Sequence, residues 1–188
     1  MSALVLYRSE YGHSAQYAHW LGKAISANPT DLTDRRPTPL AGAACAVFVL
    51  PVYAGNALSL DRVKQLVEAA PEVPVAIVTV SSSDLAHDAG PREAVLKAAK
   101  KSLGDELFVR TNWFHVRGGM NYDELRFMHR MMMRFVAGRM KSAAAKGDEN
   151  AKTFMEGYGK NVDHSSVEQL EPVISWANAK SSTPGDVT

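Results

Sequence analysis

The chain has 188 residues, enough for one α/β domain with a sizeable core or for a domain plus an insertion. Apolar residues make up 46% and charged residues 22%, which excludes wholesale disorder, and 21 basic against 20 acidic residues leave a net charge of +1, too balanced to indicate a nucleic-acid partner. The lone Cys45 excludes an internal disulfide, and six histidines in no CxxC or HExxH spacing point away from a metal centre.

In chain order, Ala3–Tyr7 (ALVLY) reads as a first strand. It breaks over Ser9-Glu10-Tyr11-Gly12-His13-Ser14, and a helical pattern follows over Ser14–Ala27. A weak strand is expected near Asp31–Thr33, between Pro29 and the Pro37/Pro39 pair. Ala46–Val52 (AVFVLPV) and Val75–Val80 (VAIVTV) are near-continuous apolar runs, as strands buried on both faces are. Cys45 opens onto the first of these and is expected to be a buried thiol, since nothing nearby would lower its pKa. Helices are expected over Leu58–Ala70 and Pro91–Leu103. In the second, Ala94, Val95, Ala98, Ala99 and Leu103 form one stripe, Lys97, Lys100 and Lys101 face away, and Gly104 supplies the stop. Leu107–Val116 (LFVRTNWFHV) is expected to be a longer, less regular strand. Strands alternating with helices imply a parallel sheet with helices on both faces.

Gly118–Asp163 is too long for a simple connection and should carry structure of its own. Asn121–Lys141 reads as a helix with Leu125, Met128, Met131, Met132, Phe135 and Val136 on one face and Arg126, Arg130 and Arg134 opposite. The polar stretch after it reads as a mobile loop or a short second helix. The last helix is expected over Ser166–Ala179, with Pro172 kinking or delaying it. The organisation is thus one domain over 1–180, with 118–163 as a helical and loop insertion and 181–188 as a disordered tail. No secretory signal is visible and no run approaches roughly 18 apolar residues. The expected location is cytoplasmic, with peripheral contact to the inner face of the membrane admitted by the basic helix.

A strand that ends in a small-residue loop and opens a helix gathers backbone N–H groups and positive potential around one point, which suits a phosphate. The patterns GxxxxGK[ST], GxGxxG and GxSxG are absent, so neither a P-loop, a dinucleotide fold nor a hydrolase elbow is supported. Two further strand ends carry permissive loops. PVYAGNALS offers Tyr53 to stack on a planar ring, with Ala54 and Gly55 allowing close backbone approach, and SSSDLAHD offers three hydroxyls. A phosphate cradle plus two ring-contacting loops suggests a mononucleotide with a large flat ring, bound beyond the carboxyl ends of the strands.

The pattern YxSxxGxS entering a helix, the YAG loop and the SSS loop together resemble the flavodoxin-like FMN-binding family. The resemblance implies an open five-stranded parallel sheet of order 2-1-3-4-5 with helices on both faces, and FMN as cofactor. Carried over by position, it implies phosphate contacts from Ser9, Tyr11, Gly12, His13 and Ser14, and ring contacts from Val52, Tyr53, Ala54, Gly55, Ser81, Ser82 and Ser83. The chain departs from the family in having Tyr11, His13 and Ser14 where many flavodoxins have Thr, Asn and Thr. SSSDLAHD also lacks a second aromatic for the ring, so one flavin face is either open or covered by Trp113, Phe114 or the insertion. The segment FHVRGGMNYDELRFMHRMMMRFVAGRMK is similar to the corresponding stretch of menaquinone-dependent protoporphyrinogen oxidases and their flavodoxin-domain relatives.

Three functions follow as alternatives. The first is an FMN oxidoreductase of protoporphyrinogen-oxidase type acting on a small redox substrate and passing electrons to a quinone or a redox protein. Its polar residues nearest the flavin would be His13, His87 and Arg117, and no residue need be a nucleophile. The second is an electron-carrier flavodoxin, which the balanced charge disfavours because such carriers are usually strongly acidic. The third is a module that has lost FMN and serves as a binding or dimerisation domain. The basic, Met-rich helix could meet a substrate, a bilayer surface or a second copy of the chain.

Overall fold

Runs of Val, Ile and Leu with no polar face can be satisfied only inside a sheet covered on both sides. The computed structural model describes residues 2–34, 39–120, 127–147, 151, 152, 155 and 161–182, with the side chains of 120 and 127–133 left out. The chain divides into two compact units, Met1–Gly118 with Ser165–Thr188, and Gly119–His164.

In the first unit the elements are β1 (Ala3–Tyr7), α1 (His13–Ala24), β2 (Thr30–Asp31), β3 (Cys45–Tyr53), β4 (Asn56–Ala57), α2 (Leu60–Glu68), β5 (Val75–Ser81), α3 (Ala89–Leu103), α4 (Asp105–Arg110) and β6 (Thr111–Arg117). After the second unit the chain returns as a 3-10 turn (Val167–Leu170) and a final helix, α6 (Glu171–Ser181). The sheet runs β2-β1-β3-β5-β6 with every neighbour parallel. The short β4 hangs antiparallel on β3. Counting parallel strands alone, the order is the expected 2-1-3-4-5.

Alternate side chains of each strand enter two cores. One holds Val5, Val47, Val49, Val78, Val80 and Val116 against Tyr17, Ala18 and Leu21 of α1, Leu170 of the 3-10 turn, and Val173 and Ala177 of α6. The other holds Leu6, Phe48, Leu50 and Ile77 against Leu60, Val63 and Val67 of α2 and Ala99 and Leu103 of α3. Each fully buried aliphatic or aromatic side chain contributes roughly 1.5–3 kcal/mol. This double cover is what fixes the carboxyl ends of β1, β3 and β5 on a common edge. Cys45 is fully buried, its Sγ 3.9 Å from the Ala177 carbonyl oxygen, and burial pushes the thiol above its ordinary pKa.

Several boundaries differ from expectation. The first helix ends at Ala24 rather than Ala27, with Ser26 left-handed at φ +55°, the weak strand is Thr30–Asp31, and α2 ends at Glu68 rather than Ala70. Leu107–Arg110 is helical rather than the start of a strand. Gly104, at φ +87°, ends α3 with its N–H on the Lys100 carbonyl and starts α4, and Asp105 and Glu106 favour the new helix's positive end. The strand begins at Thr111. The helix expected from Leu58 begins at Leu60, because Ser59 adopts a left-handed conformation at φ +62°. In the stripe of α3, Ala94 is exposed and Val95, Ala99 and Leu103 carry the burial. Pro172 delays the final helix as its ring requires: it sits in the first turn of α6, where a missing N–H costs nothing, and the residues before it form the 3-10 turn.

The second unit contains α5 (Phe127–Ala144) and a two-stranded antiparallel pair, β7 (Gly119–Met120) with β8 (Val162–Asp163). Of the faces expected on this helix, Leu125 and Arg126 lie outside the described residues, as do the side chains of Met128, Arg130, Met131 and Met132 and the tail from 183 onward. Arg134 is exposed, Ala137 is buried, and Phe135 is 68% exposed, so the apolar stripe is not wholly core-facing. Among the described residues, no helix is long and apolar enough to cross a membrane, and no three His, Cys, Asp or Glu side chains gather as metal ligands.

Candidate functional site

The first loop is set by hydrogen bonds that begin on the sheet. The Arg8 N–H donates to the Val49 carbonyl at 3.1 Å, holding the chain against β3 one residue beyond β1. At Gly12 the backbone swings to φ +90°, where other residues are strained, and the space where its Cβ would stand is open. The Gly12 N–H donates to Ser9 Oγ at 3.1 Å, and the Gly12 carbonyl accepts the first helical bond from Gln16 at 2.9 Å. Ser9 therefore keeps its own hydroxyl proton to donate elsewhere. In the first turn of α1 the N–H groups of Ser14 and Ala15 have no intrahelical acceptor, and no acidic residue stands there to compete with an anion. Glu10 is instead bonded to Arg8. His13 Nδ1 lies 3.1 Å from Ser165 Oγ, and Ser14 is buried.

The second loop is a two-residue hairpin. Val52 pairs with Ala57 and Tyr53 with Asn56, which leaves Ala54 (φ +49°) and Gly55 (φ +78°) as the two central residues, the signature of a type I′ turn. Asn56 Nδ2 donates to the Ala54 carbonyl at 3.0 Å and braces the turn. Ala54 and Gly55 are exposed, with nothing within 4 Å of a Cβ placed at Gly55. Tyr53 precedes them. Partial burial and then the nearby Tyr11 phenol raise its hydroxyl above the ordinary pKa.

The third loop begins at Ser81, whose carbonyl accepts the Gly118 N–H at 2.8 Å and whose Oγ accepts the Ser83 N–H at 3.1 Å. The Ser82 carbonyl accepts Arg117 Nε at 3.1 Å. The hydroxyls of Ser82 and Ser83 have no protein partner among the described residues. Asp84 closes the loop by accepting both the N–H and Nδ1 of His87, at 3.2 and 3.0 Å. Its slight burial works to raise its pKa, but the His87 bonds and the Arg117 charge outweigh that and hold the carboxyl below its ordinary range.

Parallel pairing places all three loops at one edge. Val52, Tyr53, Ala54 and Gly55 lie beside the Ser9–Ser14 loop on one side, and Ser81, Ser82 and Ser83 follow on the next strand. The two side chains expected as covers for a ring face are engaged elsewhere. Trp113 packs on Phe108, ring centroids 5.4 Å apart, and Phe114 on Trp176 at 6.4 Å, on opposite faces of the sheet. His87 is exposed and serves as a partner for Asp84. Sequence reasoning missed the buried support beneath the site. Tyr17 is fully buried and its hydroxyl donates to the Arg117 carbonyl at 2.7 Å while accepting from the Ser166 N–H and Gln169 Nε2. A tyrosine on the apolar face of a predicted helix was the available signal, since a buried phenol requires a partner.

An open parallel sheet with order 2-1-3-4-5, and loops gathered at the β1/β3 switch point, defines the doubly wound α/β class that takes its ligands at this edge. The chain belongs to the flavodoxin domain family, whose match covers residues 4–150. No curated protein matches it. Among solved structures it is similar to a flavoprotein from Lactobacillus acidophilus NCFM in complex with FMN, at 12% identity and TM-score 0.44, covering 62% of this chain and 91% of that one. A flavodoxin from the domain Archaea is 15% identical at TM-score 0.45, covering 62% and 83%. An azoreductase from Bacillus anthracis str. Sterne is 10% identical at TM-score 0.41, covering 62% and 87%. The fold assignment stands on the sheet order and the family match.

Proposed function

We propose that this chain binds FMN across the three loops and works as an FMN-dependent oxidoreductase on a small molecule, handing the electrons to a quinone or a similar acceptor. The observation that carries the reading is the open Gly12 at the start of α1, on the loop after β1, with the Tyr53–Gly55 hairpin at the same end of the neighbouring strand β3. The residues fit the group. A phosphate needs donors without competing carboxylates, and Ser9 and the N–H groups of Ser14 and Ala15 supply them while Arg8 occupies Glu10. In this reading Ser9, Tyr11, Gly12, His13 and Ser14 hold the phosphate. Val52, Tyr53, Ala54, Gly55, Ser81, Ser82 and Ser83 meet the ring, with Tyr53 as its aromatic neighbour.

FMN, once bound, supplies the electron chemistry, and the protein's part is to position it and set the charge around it. Two features favour an enzyme over a carrier. A net charge of +1 gives no acidic field to steer a redox partner. Trp113 and Phe114 are also held in the cores, which leaves room beside the ring for a substrate. The finer assignment, protoporphyrinogen-oxidase-type chemistry with a quinone acceptor, is supported by the similarity of the Phe114–Lys141 sequence. The exposed Phe135 and Arg134 on α5 support contact of that helix with a membrane surface or a second copy of the chain.

The test is to reduce the FMN-loaded protein anaerobically and mix it with a soluble menaquinone analogue or with a one-electron protein acceptor. Rapid reoxidation by the quinone is expected. Reoxidation by the protein acceptor alone would replace the oxidoreductase reading with that of a carrier.

A further inference from the structure

Three carboxylates stand on the loops at the strand ends: Glu10 is bonded to Arg8, Asp88 accepts the Gly90 N–H at the start of α3, and Asp84 accepts from His87 and feels the Arg117 charge. Arg117 contacts none of them directly among the described residues. Its Nε donates to the Ser82 carbonyl at 3.1 Å, which fixes the guanidinium against the third loop. Its Nη1 and Nη2 make no hydrogen bond and no ion pair among the described residues. Arg92 adds a second positive charge behind the same loop, its Nη1 lying 2.9 and 3.4 Å from the carbonyls of Ala86 and Leu85.

Arg117 is also held unusually firmly for a cation at a strand end. Its N–H donates to Gln169 Oε1 at 2.6 Å, and its carbonyl accepts Tyr17 OH at 2.7 Å and Gln169 Nε2 at 3.3 Å. The next residue, Gly118, is pinned too. A Cβ there would come within 2.9 Å of Val80 Cγ1 and 3.3 Å of the His13 Cβ, so the chain passes directly against the start of α1. A guanidinium with a fixed backbone, a fixed Nε and a free two-pronged end is a preorganised receptor for a planar anion, because little side-chain entropy is left to lose on binding.

We propose that Arg117 determines substrate class: its free Nη pair holds a carboxylate of the substrate beside the third loop, so the molecule oxidised or reduced at this site is an organic anion. The inference rests on the FMN reading above and extends it to the substrate.

The test uses the full chain loaded with FMN, with benzoate as an anionic probe and benzamide as its neutral counterpart, followed by calorimetry and by perturbation of the flavin absorbance. Benzoate should bind at least about tenfold more tightly than benzamide. Arg117→Gln should weaken benzoate at least about tenfold and leave benzamide unchanged. Arg117→Lys should recover part of the loss, since it restores the charge without the fork. The contacts that hold position 117 are largely main-chain, so neither variant removes them. No benzoate binding by the wild type, or unchanged benzoate affinity in Arg117→Gln, would overturn the proposal. So would a lowered flavin midpoint potential in that variant at unchanged benzoate affinity, which would mean that the fork faces the cofactor itself. Failure to take up FMN would sink the functional reading instead, and calorimetry on the flavin-free chain would then judge Arg117 separately by the same comparison.

Discussion

Tyr17 and Arg117, 100 positions apart, are joined by one hydrogen bond: the buried Tyr17 hydroxyl donates to the Arg117 carbonyl at 2.7 Å. The same oxygen accepts from the Ser166 N–H at 3.1 Å and from Gln169 Nε2 at 2.9 Å. One phenol thus ties α1, the end of β6 and the returning chain together beneath the candidate site. Tyr17→Phe keeps the ring and its edge-on packing with Trp20, but takes the acceptor from the Ser166 N–H and one of two bonds each from the Arg117 carbonyl and Gln169 Nε2. The expected loss is about 2 kcal/mol of stability, or about 4–8 °C in Tm, read by urea and thermal unfolding. An unchanged Tm would mean that water replaces the hydroxyl.

Gly12 tests the phosphate cradle. Its Cβ position is open but its φ of +90° is not one that other residues adopt comfortably. Gly12→Ala should therefore cost about 1 kcal/mol of stability through backbone strain alone. Gly12→Glu adds a carboxylate where the phosphate would sit and should abolish FMN uptake while the circular dichroism spectrum stays native. Normal flavin content in the Glu variant would remove the first loop from the site.

Ala54 carries strain that the hairpin does not require. At φ +49° it occupies the first central position of a type I′ turn, where Asn and Gly are at ease. Ala54→Gly or Ala54→Asn should raise stability by up to about 1 kcal/mol. A fall in stability would show that the alanine methyl makes a favourable contact.

His115 gives stability a pH dependence. Its Nδ1 lies 2.6 Å from Thr79 Oγ1. Burial first, and the Arg92 charge second, lower its pKa below the ordinary 6.5. The folded protein thus holds the ring neutral while the unfolded chain protonates near 6.5. Below that value the unfolded state binds the extra proton, so stability falls as pH drops. Above it the His115 contribution is constant. Urea midpoints should decline from pH 7.5 to pH 5.5, and His115→Gln should flatten that slope. An equal slope in the variant would assign the effect to other groups.

Cys45 should be inert. It is fully buried under α6 and its thiol is pushed above the ordinary range, so the thiolate that reacts is scarce. A disulfide reagent at pH 8 should label it only after denaturation. Rapid labelling of the native protein would show that α6 detaches readily.

Much of this was legible in the sequence, for reasons that differ by element. Val75–Val80 and Ala46–Val52 declare themselves because only a doubly covered strand tolerates apolar residues on both faces. The permissive loops declare themselves through Gly12 and Gly55, whose positive φ angles no other residue adopts as easily. Leu107–Arg110 deceived because its residues suit a strand, and the deciding influence was the cap chemistry of Gly104, Asp105 and Glu106 before it. The left-handed Ala54 was invisible because the strand pairing on either side imposes it. The Tyr17 cluster could not be read from spacing at all. Its partners are 100 to 152 positions away, and only the folded chain brings them together.

The central claim is that the three loops at the β1/β3 switch point hold FMN. The most direct test is the visible absorption spectrum of the purified chain after incubation with FMN and removal of free flavin by desalting. Flavin bands retained in about one-to-one ratio with protein, and lost in Gly12→Glu, are the predicted result. A colourless protein after desalting, with its native fold verified in the same sample, would contradict the claim and leave a flavodoxin-fold module that works without the cofactor.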